Sequence, residues 1–391
     1  MKQIILSLTA VVFSLFFTGA AMLPPVACYP ATASLQTLSQ KNGAQKDFKI
    51  NRGKTLTVKL KAGGSVKITG WDKEIVSINV DSDEDAKIPP VEETDEGLTV
   101  STGYDIAGID DNVRKDLDIK VPDEFNLDIE TNGGDVTLSG IKGEIKGQTL
   151  GGSLDLSNLK GEIQFTTMGG EINLKDSQLD GKLQTMGGEV FFENVVGDIN
   201  GSSMGGDVTM KNVTSADNSS EGHKVVISTM GGSINIEKAM SGADINTMGG
   251  DIKIMKAAKY VTAKTMGGNI DFSEIDGGVK ATTMGGNIDV KITGDNNGSK
   301  DIYLKSLSGN ITLTVPEALS MDIDVHLAYT RDNEGKYDIK SDFNLNKETS
   351  DKWNNDNGEP RKVIHGTGTN GNAKYKVILE TINGNIILKK S

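Results

Sequence analysis

Nine of this chain's eleven Gly-Gly pairs form one regular series: Gly133–Gly134, Gly151–Gly152, Gly169–Gly170, Gly187–Gly188, Gly205–Gly206, Gly231–Gly232, Gly249–Gly250, Gly267–Gly268 and Gly285–Gly286. Successive pairs lie 18 residues apart, except for a single step of 26. A fixed period of this length with one insertion marks a repeat array, in which each unit buries its apolar surface against its neighbours. The longer step contains the polar segment Thr214–Lys224, which reads as a loop bulging from one coil.

Within a unit the apolar period is two. Ile163, Phe165 and Thr167 share one parity and Gly170, Ile172 and Leu174 the other, so each half-unit is a strand with one face turned inward. The parity switches between Thr167 and Met168, and again after Thr185, Thr247, Thr265 and Thr283. A phase break beside two glycines predicts a corner, where Gly adopts backbone angles that other residues resist. A second corner is expected near Leu159–Gly161, Leu179–Gly181 and Ile275–Gly278. Two short strands per coil, each paired in parallel with its equivalent one turn away at about 4.8 Å, make an all-β protein. The expected fold is a parallel β-solenoid, a flattened β-helix, with irregular β flanks at both ends.

Register then builds two ladders. Thr131, Thr149, Thr167, Thr185, Thr229, Thr247, Thr265 and Thr283 precede the corner, with Ser203 in the same slot and Ser306 and Thr381 continuing it less regularly. Their inward hydroxyls are expected to bond to one another and to corner backbone groups. Met168, Met186, Met204, Met230, Met248, Met266 and Met284 form the second ladder, and Leu150, Leu307 and Ile382 share its slot. The expectation there is corner packing by a flexible apolar side chain. A soft-metal or oxidant-absorbing stripe is the alternative that thioether chemistry offers.

Composition suits a thin body of this kind, with aromatics at 5% and hydrophobic residues at 36%. The excess of 54 acidic over 41 basic residues gives a net charge of −13, which argues against nucleic acid and anionic lipid as partners. At the start, Lys2 precedes the apolar run Ile4–Phe17, which has the length of a signal-peptide core and is too short to span a bilayer. Small residues at Ala31–Ala33 suggest cleavage before Ser34, making residues 1–33 a signal peptide. The competing reading is a lipoprotein box ending at Cys28, with Pro25 where Leu is usual, and a lipid anchor on that cysteine. Cys28 is the single cysteine, so its removal would leave neither a disulfide nor a thiolate. No later segment is long and apolar enough for a transmembrane helix.

The flanks echo each other. Asp118–Glu130 parallels Thr312–Asp324, each a strand, a turn at Pro122 or Pro316, and a second strand. The expected organisation is a linker over residues 34–47, an N-terminal β region or cap over 48–130, regular repeats over 131–310, and a C-terminal β region over 311–391 that closes the solenoid. Over about Phe48 to Lys390, the strings GGSVKITGWDKEIVSINV, VPxxxxxDI, the serial T-x-GG-[DEN]-I corners and ETINGNIIL resemble the bacterial β-strand-repeat putative adhesins. That family is a domain of unknown function, related in style to the head domains of putative auto-transporter adhesins. The resemblance implies a β-solenoid on an exported envelope protein and supplies no functional residues.

Motifs for chemistry are sparse. Asp295–Asp301 and Asp81–Asp85 offer oxygen ligands, but neither has the spacing of an EF-hand loop. His223, His326 and His365 show no paired zinc spacing. Gly201–Gly205 spells GSSMG, a repeat corner with no helix after it, and so no nucleophile elbow. Ile172 is followed at six-residue steps by Gln178 and Gln184, which breaks the hexapeptide pattern of β-helix acyltransferases. Asp135, Glu171, Glu189, Asp207, Asp251, Asn269 and Asn287 form one outward file after the corner, which reads as a solvated surface rather than a catalytic pair. The sequence therefore points to a non-catalytic, exported cell-envelope protein, adhesin-like or surface-binding, located in the periplasm, on the outer membrane surface or outside the cell. Its ligand would be a surface glycan or a protein, met through Thr214–Lys224, Gly294–Lys300 or the loop Thr349–Gly371. A periplasmic spacer without an external ligand is the alternative, and a carbohydrate-active enzyme a third reading.

Overall fold

The computed structural model describes residues 44–81, 87–102, 114–214, 225–354 and 359–391. The leader, Cys28, His223 and nearly all of Thr214–Lys224 lie outside the described residues. In the regular region each strand pairs in parallel with its equivalent one coil away. Strand Lys142–Thr149 sets Ile145 opposite Ile163 of strand Lys160–Thr167, and Leu154 of strand Leu154–Ser157 lies opposite Ile172. The two rows of strands face each other and bury Ile163 and Phe165 from one against Ile172 and Leu174 from the other. The protein is a β-solenoid. The long insertion does not disturb the register, since Gly201 pairs with Ile227 and Val208 with Ile234 across it.

A core this thin is filled by matching sizes between neighbouring coils and between the two strands of one coil. A Cβ on Gly147 would stand 2.3 Å from the ring of Phe165, and one on Gly201 would stand 3.1 Å from the ring of Phe192. Each Phe is accommodated because the adjacent slot carries no side chain.

The Gly-Gly corner has a more specific cause than backbone freedom. At Gly170, Gly188, Gly206, Gly232, Gly250, Gly268 and Gly286, a Cβ would approach the carbonyl oxygen of the equivalent glycine one coil earlier to between 1.9 and 2.3 Å. The first glycine of each pair is different: at Gly249 the nearest atom would be 3.3 Å away, and at Gly151 nothing lies within 4 Å. Backbone contact between stacked coils therefore requires only the second glycine. The divergent corners agree, since Ser308–Gly309 and Asn383–Gly384 keep only that one. Left-handed φ values occur at Gly134 (103°) and Gly152 (91°) but not along the rest of the series.

The second corner opens one residue before Leu159, on a ladder that sequence reasoning missed. Asn158, Asp176, Asn194 and Asn212 all have φ between 48° and 56°, a region that Asn and Asp tolerate best among residues with a side chain. Their side chains stack with the coils: Asn194 Nδ2 donates to Asp176 Oδ1 at 2.9 Å, and Asn212 Nδ2 to Asn194 Oδ1 at 3.0 Å. The signal available was a second 18-residue series of Asn or Asp beside the glycines.

The order of coils is exchanged at both ends. Strand Thr55–Leu60 lies between Gly97–Thr102 and Asn126–Thr131, paired in parallel with both. At the other end, strand Tyr375–Ile382 lies between Ile302–Ser306 and Met321–Thr330. The Val121–Pro122 and Val315–Pro316 turns are the points where the chain steps over a coil that a more distant segment fills. Among the described residues, parallel pairing carries across residues 130 and 310, through Asn126–Thr131 on Lys142–Thr149 and Ile288–Ile292 on Ile311–Val315. Antiparallel strands cover the final edges: Val91–Glu93 on Gly97–Thr102, Ile75–Asp81 on Asp116–Pro122, and Arg361–Asn370 on Met321–Thr330. Such coverage blocks the edge-to-edge growth that an open parallel sheet invites. Arg361–Asn370 corrects the expectation of a loop over Thr349–Gly371, because ten of those residues form a strand.

Candidate functional site

The threonine slot holds the Gly-Gly corner together. Thr247 Oγ1 donates to the Gly232 carbonyl of the preceding coil at 2.9 Å and accepts from Gly250 N–H of its own coil at 3.3 Å. Thr167, Thr185, Ser203, Thr229, Thr265 and Thr283 repeat both bonds. Thr131 bonds both to Gly133 and to the Gly64 carbonyl of the stacked coil, Thr149 bonds to Gly151, and Ser306 and Thr381 donate to Gly286 and Gly309. The hydroxyls thus bridge coils through backbone groups rather than through one another. The outward file does similar work. Asp135, Asp207, Asp251, Asn269 and Asn287 each accept a backbone N–H from the next coil at 2.6–2.9 Å. Such bonds satisfy corner donors that would otherwise face solvent.

The methionine slot departs from the packing expectation. From Leu150 through Met168, Met186, Met204, Met230, Met248, Met266 and Met284 to Leu307, every side chain is 37–50% exposed. The corner backbone fixes this row, with Met248 N–H donating to Met230 O at 3.2 Å and Met266 N–H to Met248 O at 3.1 Å. At the solenoid spacing the nine side chains make a ridge about 38 Å long. The corner turns the slot outward because the inward volume on either side is already taken by the threonine and the next strand's first aliphatic residue, here Thr247 and Ile252.

At its C-terminal end the ridge runs into a depression of about 340 Å³ lined by Lys305, Ser306, Leu307, His326, Ala328, Val363, Glu380, Thr381 and Ile382. Ile382 and Ala328 continue the ridge slot across the exchanged coils, and Val363 lies opposite Ala328. Two residues before that slot runs a polar row in register: Lys305 opposite Glu380, Glu380 opposite His326, and His326 opposite His365. Lys305 Nζ and Glu380 Oε2 are 2.7 Å apart. Glu380's hydrogen bond, opposed by burial, pushes the Lys305 ammonium above its ordinary value. His326 and His365 stack at 4.3 Å, and each Nε2 reaches Asp324 Oδ1, at 2.9 and 2.7 Å. Burial works to raise the Asp324 carboxyl, but the hydrogen bond from His365 and the contacts with His326 outweigh it and hold it below the usual carboxylate value. Two of the three scattered histidines are therefore neighbours, joined by the strand that had been expected to be a loop.

The remaining sequence candidates behave differently. Lys300, only 1% exposed, places its ammonium on Asp276 and on the Thr293 carbonyl, while Asp295 accepts from Asn297. The chain's own cation and amide groups fill the place where a calcium loop had been weighed. Gly294–Lys300 is also pinned: the Asn296 carbonyl accepts from Tyr375 Oη at 2.5 Å and from Lys374 Nζ at 2.6 Å. A second depression, about 220 Å³, carries Glu144, Glu162 and Asp180 beside Lys146 and Lys182. All five side chains are exposed, and Lys146 pairs with Glu144 at 2.5 Å.

The family model described as Toastrack DUF4097 matches residues 182–389, more than half of the 391-residue chain. The chain belongs to the Toastrack DUF4097 family. The match covers most of the methionine ridge and the whole of the Asp324–His326–His365 cluster of this Toastrack protein. A search of curated proteins finds no match. Among solved structures, a putative cell adhesion protein from Clostridium sporogenes is 12% identical, over 89% of this chain and 100% of its own, with a TM-score of 0.17. A putative adhesin from Bacteroides fragilis is 11% identical, over 89% and 97%, with a TM-score of 0.24. Scores that low carry nothing about activity across to the Toastrack chain. No helix among the described residues is long and apolar enough to cross a membrane.

Proposed function

We propose that the chain is a non-catalytic, exported, adhesin-like protein of the bacterial envelope that binds an extended protein partner along its methionine ridge. The observation that carries this reading is the ridge itself: nine apolar side chains in line, each more than a third exposed. Contiguous exposed apolar surface marks an interaction site, and flexible thioethers suit a partner whose side chains vary. The bordering file of Asp135, Glu171, Glu189, Asp207 and Asp251, together with the net charge of −13, favours a partner whose apolar strip is edged by basic residues. A glycan is less suited, since the ridge presents no aromatic platform. Export rests on Lys2 and the Ile4–Phe17 run. The non-catalytic reading rests on the carboxylates Glu144, Glu162 and Asp180, which lie exposed in one file on an open surface, with Lys146 already paired to Glu144.

Peroxide footprinting on intact cells, combined with surface biotinylation, tests the reading. In the isolated protein the ridge methionines should oxidise readily. On cells they should be protected, and Met→Gln changes at Met186, Met204, Met230 and Met248 together should remove both the protection and adhesion. Equal oxidation in both settings, with adhesion untouched by the variant, would leave a spacer as the better description. Loss of binding on glycan removal alone would make the ligand a glycan.

A further inference from the structure

We propose that Asp324, His326 and His365 form a binding site for a borderline divalent transition ion of the zinc class. Two imidazoles and one carboxylate are the donor set that such ions select over the oxygen-only cages of magnesium and calcium. The fold brings the three donors together by register. Asp324 and His326 alternate on strand Met321–Thr330 and so share a face, and His365 stands directly opposite His326 on the antiparallel strand Arg361–Asn370. Their ligand atoms all lie within 4.8 Å of one another.

The arrangement has a single focus. Both Nε2 atoms lie close to the same oxygen, Asp324 Oδ1, at 2.9 and 2.7 Å, with the rings nearly parallel at 14°, and His365 is hydrogen-bonded to it. An ionised carboxylate only accepts, so in that bond the His365 imidazole donates. One divalent ion at that place would meet two imidazole nitrogens, each in its neutral ligating form, and a carboxylate oxygen. Metal–ligand distances of about 2.0–2.2 Å in a tetrahedral arrangement require donor separations of roughly 3.3 Å. For the two His–Asp pairs the change is about half an ångström, within reach of side chains that are 41–45% exposed on a paired backbone. Glu380 stands opposite His326 on the other side, but Lys305 engages its carboxylate. The site thus has three protein ligands and an open fourth position for water or a donor from a bound partner. Its place on two hydrogen-bonded strands fixes the ligand geometry better than a loop would.

The full chain, dialysed against Zn2+ and then against metal-free buffer, should retain one ion per chain, and titration with Mg2+ should show no binding. His326→Asn and His365→Asn should each weaken Zn2+ binding by more than the roughly 10–100-fold that loss of an outer-shell partner costs. His223→Asn should leave it unchanged. Cu2+ bound to the unaltered chain should give an electron paramagnetic resonance spectrum with coupling to two imidazole nitrogens, a readout that does not depend on any variant folding. Zn2+ uptake that survives the double His326→Asn, His365→Asn change, uptake abolished by His223→Asn, or a Cu2+ spectrum with one or no imidazole nitrogen would overturn the proposal.

Discussion

The regular coils and the C-terminal end of this solenoid use the same ladder for opposite purposes. In the regular coils between residues 131 and 310 the corner slots repeat from coil to coil, so like side chains stack there: Thr on Thr, Met on Met, Asp on Asn. Repetition of this sort yields lines and surfaces, such as the ridge, but rarely places unlike groups in one spot. At the end, Tyr375–Ile382 slips between Ile302–Ser306 and Met321–Thr330, and unlike residues become neighbours. The Lys305–Glu380 pair, the stacked His326 and His365, and the Tyr329–Trp353 edge contact at 5.9 Å all arise there. Constellations of mixed chemistry appear where the repeat is interrupted, and extended surfaces where it is kept.

If that division is right, the two regions should respond very differently to losing a coil. Deleting the 18 residues from Met248 to Thr265 joins Thr247 to Met266 and preserves every slot. The shortened chain should fold, with its thermal midpoint moved by only a few degrees, because nearest-neighbour terms are replaced by equivalent ones. Deleting residues 375–391 removes the coil on which both Ile302–Ser306 and Met321–Thr330 pair. The segment beyond Val315 should then unfold, read as lost β signal in circular dichroism and as new proteolytic cleavage, while Ile302–Ser306 and Ile311–Val315 keep their pairing to the preceding coil. A cooperative, intact fold after the second deletion would show that the exchanged coil is an ornament rather than a lock.

The next largest contrast lies inside the corner. Gly250→Ala drives a Cβ to 2.0 Å from the Gly232 carbonyl, while Gly249→Ala meets nothing closer than 3.3 Å. The first should cost about 3 kcal/mol, at the upper end of overpacking. The second should cost less than about 1 kcal/mol in a denaturant titration. Similar losses at both positions would return the corner to a question of backbone angles.

The middle of the molecule was legible because an 18-residue period and a period of two specify coil length, strand parity and register with no long-range information. The reason for the glycines was not, since a carbonyl approaching from the previous coil leaves no mark that separates it from a left-handed turn. The outward turn of the methionines was also hidden. An apolar slot shared by Met, Leu and Ile reads as core unless the inward volume is known to be taken already. At the C-terminal end the strand Arg361–Asn370 carries glycines at Gly366 and Gly368 among polar residues, so its pattern reads as loop. The 41-residue separation of Asp324 from His365 then put the cluster beyond any motif.

The same slot can be compared with and without its partner bonds. Thr247→Val removes a hydroxyl that bridges two coils and leaves the Gly232 carbonyl and Gly250 N–H short of a partner, at a cost of about 1–3 kcal/mol. Thr102 occupies the equivalent slot beyond Leu60, across strands Gly97–Thr102 and Thr55–Leu60. Among the described residues its hydroxyl has no hydrogen-bond partner although it is buried. Thr102→Val should therefore be neutral or stabilising by up to about 1 kcal/mol. A loss at Thr102 as large as at Thr247 would mean that the slot is selected for shape alone.

The smallest effects distinguish the two regions by charge. In the regular coils Asp289 stacks on Asp271 in register, and burial, then the Asp271 charge, raises its carboxyl above the ordinary value. At the C-terminal end the histidines hold Asp324 low against burial. A raised carboxyl makes its favourable contribution when protonated, so the Asp289 term is fully present below the unfolded value near 3.8 and is lost as pH rises through the higher folded value. The Asp324 term has the opposite sign: it is present above the unfolded value and is lost as pH falls through the lower folded one. At neutral pH Asp289→Asn should stabilise and Asp324→Asn should destabilise. Each effect should stay below roughly 1 kcal/mol because both groups are substantially exposed and screened. Denaturant midpoints at pH 7 and pH 3 provide the check, with the Asp324→Asn deficit shrinking on acidification and the Asp289→Asn gain shrinking with it. Same-signed changes at pH 7 would mean that the stacked file and the histidine cluster are electrostatically alike.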